Sequence, residues 1–177
     1  MKKLIKPLFL IIAALMIYSG CDKLDVDFDA NFKTNLNVIV PADGLKNLTG
    51  YPFSESEFID PMDDSDFAKY ADKIKEIKVK ELTAEVTSIN KPVSLVSCDF
   101  SVSSSGYVPE NWSFENEDIF VGKVFTLANT NGQWDNVQTI LDNKEQFTVS
   151  MAGETDQDDV QFTIEVIIKS EITANPL

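Results

Sequence analysis

The sequence predicts a mainly β protein, an antiparallel two-sheet β-sandwich with one or two short helices. Three observations carry that expectation. Several stretches alternate apolar and polar residues with period two, which places one set of side chains on one face of a strand. Turn-forming residues separate these stretches, and helical spacing shows only in two short segments, near residues 65–74 and 134–141. Strands in series with few helices pack most simply as sheet on sheet.

The longest alternation opens the globular part. Leu24, Val26, Phe28, Ala30, Phe32, Thr34, Leu36, Val38 and Val40 hold the even positions, against Lys23, Asp25, Asp27, Asp29, Asn31, Lys33, Asn35 and Asn37. At about 3.3 Å per residue this run would reach roughly 55 Å, far beyond the usual strand of about 5–6 residues. A break near Ala30-Asn31 is therefore expected, giving two strands, one in each sheet. Pro41-Ala42-Asp43-Gly44 reads as a turn, and a polar stretch follows to about Asp63.

Asp64 or Ser65 then caps a short helix whose face is Phe67, Tyr70, Ala71 and Ile74. It gives way to a strand in which Ile77 and Val79 share one parity and Leu82, Ala84 and Val86 the other, so a bulge is expected near Lys80-Glu81. After Asn90-Lys91-Pro92, Val96, Cys98, Phe100 and Val102 alternate with Ser97, Asp99 and Ser101. Ser103 to Gly106 is a turn. Short strands are expected around 119–121 and 124–127, and a turn at Asn131-Gly132. Trp134, Val137, Ile140 and Leu141 mark a second helix. Phe147, Val149 and Met151 are expected to pair with Val160, Phe162, Ile164, Val166 and Ile168 as a hairpin across residues 153–159. An immunoglobulin-like arrangement is the class this pattern suggests, although the Cys…Trp…Cys spacing of a true member is absent.

The N-terminal segment has a different character. Lys2, Lys3 and Lys6 precede an apolar run from Leu8 to Tyr18, then Ser19, Gly20 and Cys21. This is the order of a secretory signal, and the run is shorter than the roughly 18 apolar residues a spanning helix needs. Tyr18-Ser19-Gly20-Cys21 resembles the lipobox of bacterial lipoproteins, with Tyr18 where Leu, Val or Ile is usual. That resemblance implies cleavage after Gly20, lipidation of Cys21 and attachment to a membrane by more than one acyl chain, as stable anchoring requires. Residues 1–20 are then the signal peptide and 21–177 a single domain held close to the bilayer. The lipobox, the helix leading into a long strand and the C-terminal stretch Phe162–Leu177 together look like small Bacteroidota envelope lipoproteins of unknown function. The address this implies is the cell envelope, at the outer membrane, facing either the periplasm or the cell surface.

Composition narrows the chemistry. The chain contains no histidine, and all 15 of its basic residues are lysine. Without histidine there is no Ser-His-Asp triad, no Cys-His pair and no ordinary zinc or haem site. Without arginine there is no bidentate fork for phosphate or carboxylate. Removing the three lysines of residues 1–20 leaves 12 basic against 29 acidic residues, a net charge of −17. Such a charge opposes binding to nucleic acid and anionic lipid surfaces. With Cys21 committed to lipid, Cys98 stands alone, and its alternating context predicts a buried small hydrophobe.

Few motifs point to a ligand. Asp25, Asp27 and Asp29 are spaced like the start of a calcium loop, but same-face residues of a strand lie about 6.6 Å apart, too far for all three to hold one ion. They read as a solvated strand face. An acidic stretch after a lipidated cysteine also resembles the surface-export signal of Bacteroidota lipoproteins. Ser88-Ile89-Asn90-Lys91 matches the S-x-x-K of penicillin-interacting enzymes, yet it leaves a strand and runs into Pro92 instead of opening a helix. Asp63, Asp64 and Asp66 fit helix-start charge, and Asp156, Asp158 and Asp159 a hairpin tip. Tyr107, Trp112 and Phe114 lie among Glu110, Glu115, Glu117 and Asp118, a composition suited to holding sugars; the alternative is that Trp112 and Phe114 plug one end of the core.

The sequence thus predicts a membrane-anchored, non-enzymatic envelope lipoprotein, a binding or accessory component with a protein or glycan partner and no cofactor. Two other classes remain open. A carrier for an apolar or glycan ligand would show a cavity or an exposed aromatic patch. A carboxylate-dependent hydrolase would show two facing carboxylates in a cleft.

Overall fold

The computed structural model describes residues 25–42 and 44–175. Eight strands form the fold: β1 (Val26–Val40), β2 (Tyr51–Ile59), β3 (Ile74–Ile89), β4 (Val93–Ser103), β5 (Glu110–Ile119), β6 (Val124–Thr126), β7 (Phe147–Thr155) and β8 (Val160–Ala174). Two helices join them, α1 (Ser65–Tyr70) and α2 (Gln133–Asp142). The strands make two antiparallel four-stranded sheets, ordered β1-β8-β3-β6 and β2-β7-β4-β5. The mainly β, two-sheet sandwich is as expected. The strand order is that of an eight-stranded jelly roll and replaces the immunoglobulin-like arrangement, whose first sheet would join β1 to β2. In effect one long hairpin is rolled up: β4 pairs with β5, β3 with β6, β2 with β7 and β1 with β8.

That roll corrects two further expectations. β1 does not break at Ala30-Asn31. It pairs without interruption from Val26↔Ala174 to Val40↔Val160, because β8 offers an equally long alternating partner. β7 and β8 form no hairpin; each is flanked on both edges in its own sheet, β7 by β2 and β4, β8 by β1 and β3. Residues 156–159 are a crossover between sheets. Two unexpected strands also appear. β2 lies in the polar stretch before the first helix, and β5 runs through a segment read only as short strands after residue 119.

Elsewhere the patterns hold. Asp64 caps α1, its Oδ1 accepting from the N–H groups of Asp66 and Phe67 at 3.0 and 2.9 Å. β3 shifts register three times, and the shift between Val79 and Glu81 is the bulge expected near Lys80-Glu81. α2 starts after Gly132, whose φ of 82° suits a residue without Cβ. In β4 the inward parity changes: Val93 and Leu95 are buried, then Cys98, Phe100 and Val102. Val96 is the irregular residue at the change, not a core position.

The core lies between the sheets. Leu36, Val38, Leu82, Val86, Phe100, Phe162, Ile164 and Ile168 are almost wholly buried. Aromatic contacts flank the core on the β1 and β6 sides: Phe32 on Phe67 of α1 at 5.3 Å, and Phe125 on Phe114 and Phe100 at 5.1 and 5.5 Å. Such pairs add about 0.5–1.5 kcal/mol each beyond the area they bury. The outer face of the first sheet is polar and cross-linked by Lys80–Glu171 and Lys169–Glu81 at 2.9 and 3.1 Å. Among the described residues, no helix is long and apolar enough to cross a membrane.

Candidate functional site

The register fixes which parts of the chain share an end. Asp25, α1 and the 104–109 turn gather at one end, since Val26 pairs with Ala174 and Val102 with Glu110. The four connections 41–50, 90–92, 120–123 and 156–159 gather at the other. A 15-residue strand such as β1 separates the two ends by about 50 Å.

Cys21, the expected lipidation site, lies outside the described residues. The other sequence candidates sit as follows. Trp112 is only 6% exposed, and its indole N–H donates to the Ala128 carbonyl at 2.8 Å. Phe114 is half-buried in the Phe100–Phe125 cluster. Tyr107 packs against the core from the turn before β5. These three therefore form no exposed stacking platform; β5 turns Trp112 and Phe114 inward, and their faces are spent on the core. The alternative in which they plug the core describes their placement.

Asp25 pairs with Lys75 at 2.7 Å, and Asp27 accepts from Thr173 Oγ1 at 2.7 Å. Asp29 is exposed, so this acid run lies on a solvated strand face. Ser88 and Lys91 fall at the end of β3 and in the following turn, with Asn90 Nδ2 donating to the Asp159 carbonyl at 3.1 Å. Cys98 is 1% exposed, and burial pushes its thiol far above the ordinary range. Among the described residues, two carboxylates have displaced titration. Asp142 is raised by partial covering of its carboxyl, although the residue as a whole is exposed. Glu154 is lowered by hydrogen bonds, first from Thr49 and then from Asn47.

The loop-bearing end holds what the sequence reading missed. Residues 120–123 are a β-turn, closed by Lys123 N–H to the Phe120 carbonyl at 2.9 Å. Gly122, at φ 88°, takes the position that favours glycine. Two backbone bonds fasten this turn to β3: Gly122 N–H to the Val86 carbonyl at 2.8 Å and Val86 N–H to the Lys123 carbonyl at 2.9 Å. Phe120 and Val121 nonetheless stand 55% and 60% exposed. Lys123 is held sideways by Glu117 at 2.5 Å. Beside Phe120 a groove of about 300 Å³ runs over Pro92, Ser94, Asp118, Asp156 and Gln157. Ser94 fixes both carboxylates: its Oγ donates to Asp118, and its N–H donates to Asp156 Oδ1 at 3.0 Å. The signal available in the sequence was Gly122-Lys123 between Val121 and Val124, which marks a turn where a strand was read.

No protein-family profile matches the chain, and no curated protein sequence matches it. A solved structure from Desmodium yellow mottle tymovirus is similar over 86% of this chain and 90% of that one, at 10% identity and a TM-score of 0.32.

Proposed function

We propose that this chain is a lipid-anchored envelope protein acting as a non-enzymatic binding or accessory component. The observation that carries the reading is the Lys2–Cys21 pattern, with the first strand beginning only five residues after Cys21. A lipid on Cys21 would hold the Asp25 end at the bilayer and point the four clustered connections away from it. The residue repertoire supports a role without chemistry, because the chain lacks both histidine and arginine. Its charge favours cationic partners over nucleic acid or anionic lipid.

Fractionation tests the anchor. Cys21→Ala is expected to move the protein from the membrane to the soluble fraction, and mass spectrometry of the wild-type N-terminus is expected to find acyl chains. Membrane retention of the variant, or an N-terminus without fatty acid, would reject the anchor. Cross-linking in intact envelopes tests the accessory role, which predicts a reproducible partner; recovery of the protein alone counts against it.

A further inference from the structure

We propose that the loop-bearing end around Phe120 and Val121 is a protein-docking surface whose partner presents an apolar side chain next to lysine or arginine. The inference gives the binding role above a location and a partner chemistry. It rests on that reading for its biology but not for its geometry, since every residue it uses lies within the described fold.

Single exposed apolar residues are ordinary on a soluble protein. Phe120 and Val121 differ in their support. They are consecutive, more than half exposed, and carried on a turn fastened to β3 by two backbone hydrogen bonds. A floppy loop loses conformational freedom when it docks; a turn already held in place loses little, so its apolar contacts convert more fully into affinity.

The second observation is the adjoining groove. Asp118 and Asp156 converge on Ser94 beside Phe120, and neither joins an ion pair among the described residues. Asp158 and Asp159 follow in the same connection. Lys123, the basic residue of the turn, is already engaged by Glu117. Lys91, just before the groove-lining Pro92, is set against these four acids, so the rim of the apolar tip is net negative. This arrangement attracts a cationic side chain and repels anionic lipid or nucleic acid. A second copy of the chain, meeting this end with the same acids, is repelled too. The surface that complements it is a protein patch mixing aliphatic side chains with lysine or arginine.

The test uses the mature chain with Cys21→Ala, which keeps every described residue. The probe is a synthetic amphipathic peptide with leucines along one helical face and lysines along the other. A scrambled peptide of the same composition is the control. Titration followed by amide NMR should place the shifts at residues 118–123 and 156–159. Combined Phe120→Ser and Val121→Ser should weaken binding about tenfold or more, the size of one interface hot spot. The scrambled peptide should bind correspondingly worse. Val121→Lys provides a second variant that repels the peptide, and unchanged melting of both variants shows that the fold is intact. Equal binding of the two peptides, shifts spread over the whole acidic surface, or indifference to the tip substitutions would overturn the proposal. Phe120-dependent self-association without peptide would also overturn it, by identifying a second copy as the occupant. Fractionation of Cys21→Ala reads the anchor separately, so the two ideas fail independently.

Discussion

The backbone N–H of Val79 donates to Oε1 of Gln138 at 2.8 Å. A side chain on α2 thus occupies the place of a missing strand. β6 pairs with β3 only over Thr83–Glu85 and leaves the earlier part of that edge open. Exposed edges recruit other strands, and covering them is a common defence. Gln138→Ala should leave this N–H without its partner at a cost of about 1–3 kcal/mol. Urea unfolding measures it. A midpoint identical to wild type would show that water replaces the amide without penalty.

Trp112 is a structural residue by its placement, buried and bonded to the Ala128 carbonyl. Trp112→Ala should lower stability by about 3–5 kcal/mol, the usual range for a large aromatic in a core. Trp112→Phe should lose less, mainly the hydrogen bond. If Trp112→Ala melted like wild type, the ring would be serving something other than packing.

Gly153 pairs with Phe53 on one side and Cys98 on the other. A Cβ there would sit 2.1 Å from the Ser97 carbonyl oxygen and 3.0 Å from Cys98 Cα. Both are backbone atoms and cannot swing aside. Gly153→Ala should therefore cost about 2 kcal/mol or more by overpacking, read as a lowered melting midpoint or loss of soluble protein. Unaltered stability would mean that β4 and β7 can separate freely here.

Burial, reinforced by the Asp99 carboxylate, keeps the Cys98 thiol protonated. Only the thiolate reacts, so native protein at pH 8 should be alkylated at Cys98 at least about a hundredfold more slowly than unfolded protein. Mass spectrometry of iodoacetamide-treated samples gives both rates. Comparable rates would show that the core opens readily at this point.

Glu154 ties the 44–50 connection to β7 by accepting from Thr49 Oγ1 and, at 3.1 Å, from Asn47 Nδ2. These bonds favour the ionised carboxyl and set its folded value below that of an ordinary glutamate. The stabilisation is present above the unfolded glutamate value, about 4.3, and fades as pH falls through the lower folded value. The Asn47 and Thr49 amide signals should shift with a midpoint below the ordinary glutamate value, and Glu154→Gln should abolish that titration. A midpoint at or above the ordinary value would contradict the hydrogen bonding.

What the sequence disclosed depended on how regular each strand was. β1 and β8 keep one parity throughout, so their inward faces could be read directly. The β3 bulge was legible because the parity of its apolar residues changes beside Lys80. β2 was hidden by Glu55 and Glu57, which occupy the same parity as buried Phe53 and Ile59 on an edge strand. β5 was hidden by Asn116, whose φ of 56° shifts the alternation between Phe114 and Ile119. The link between β7 and β8 is short enough for a hairpin, and local composition cannot tell a hairpin from a crossover between sheets. The fastened turn at Gly122 depends on bonds to Val86, 36 residues away, which no local pattern reports.

The rolled topology also sets a timetable for synthesis. β4 and β5 are separated by a short turn, so they can meet soon after leaving the ribosome. β1 must wait for residues 160–174, the eighth strand of this fold. Until then the opening segment has no partner along its hydrogen-bonded edge, and a chain truncated before Val160 never supplies one. The domain closes from its middle outward, and its first strand settles only once the residues of its eighth have emerged.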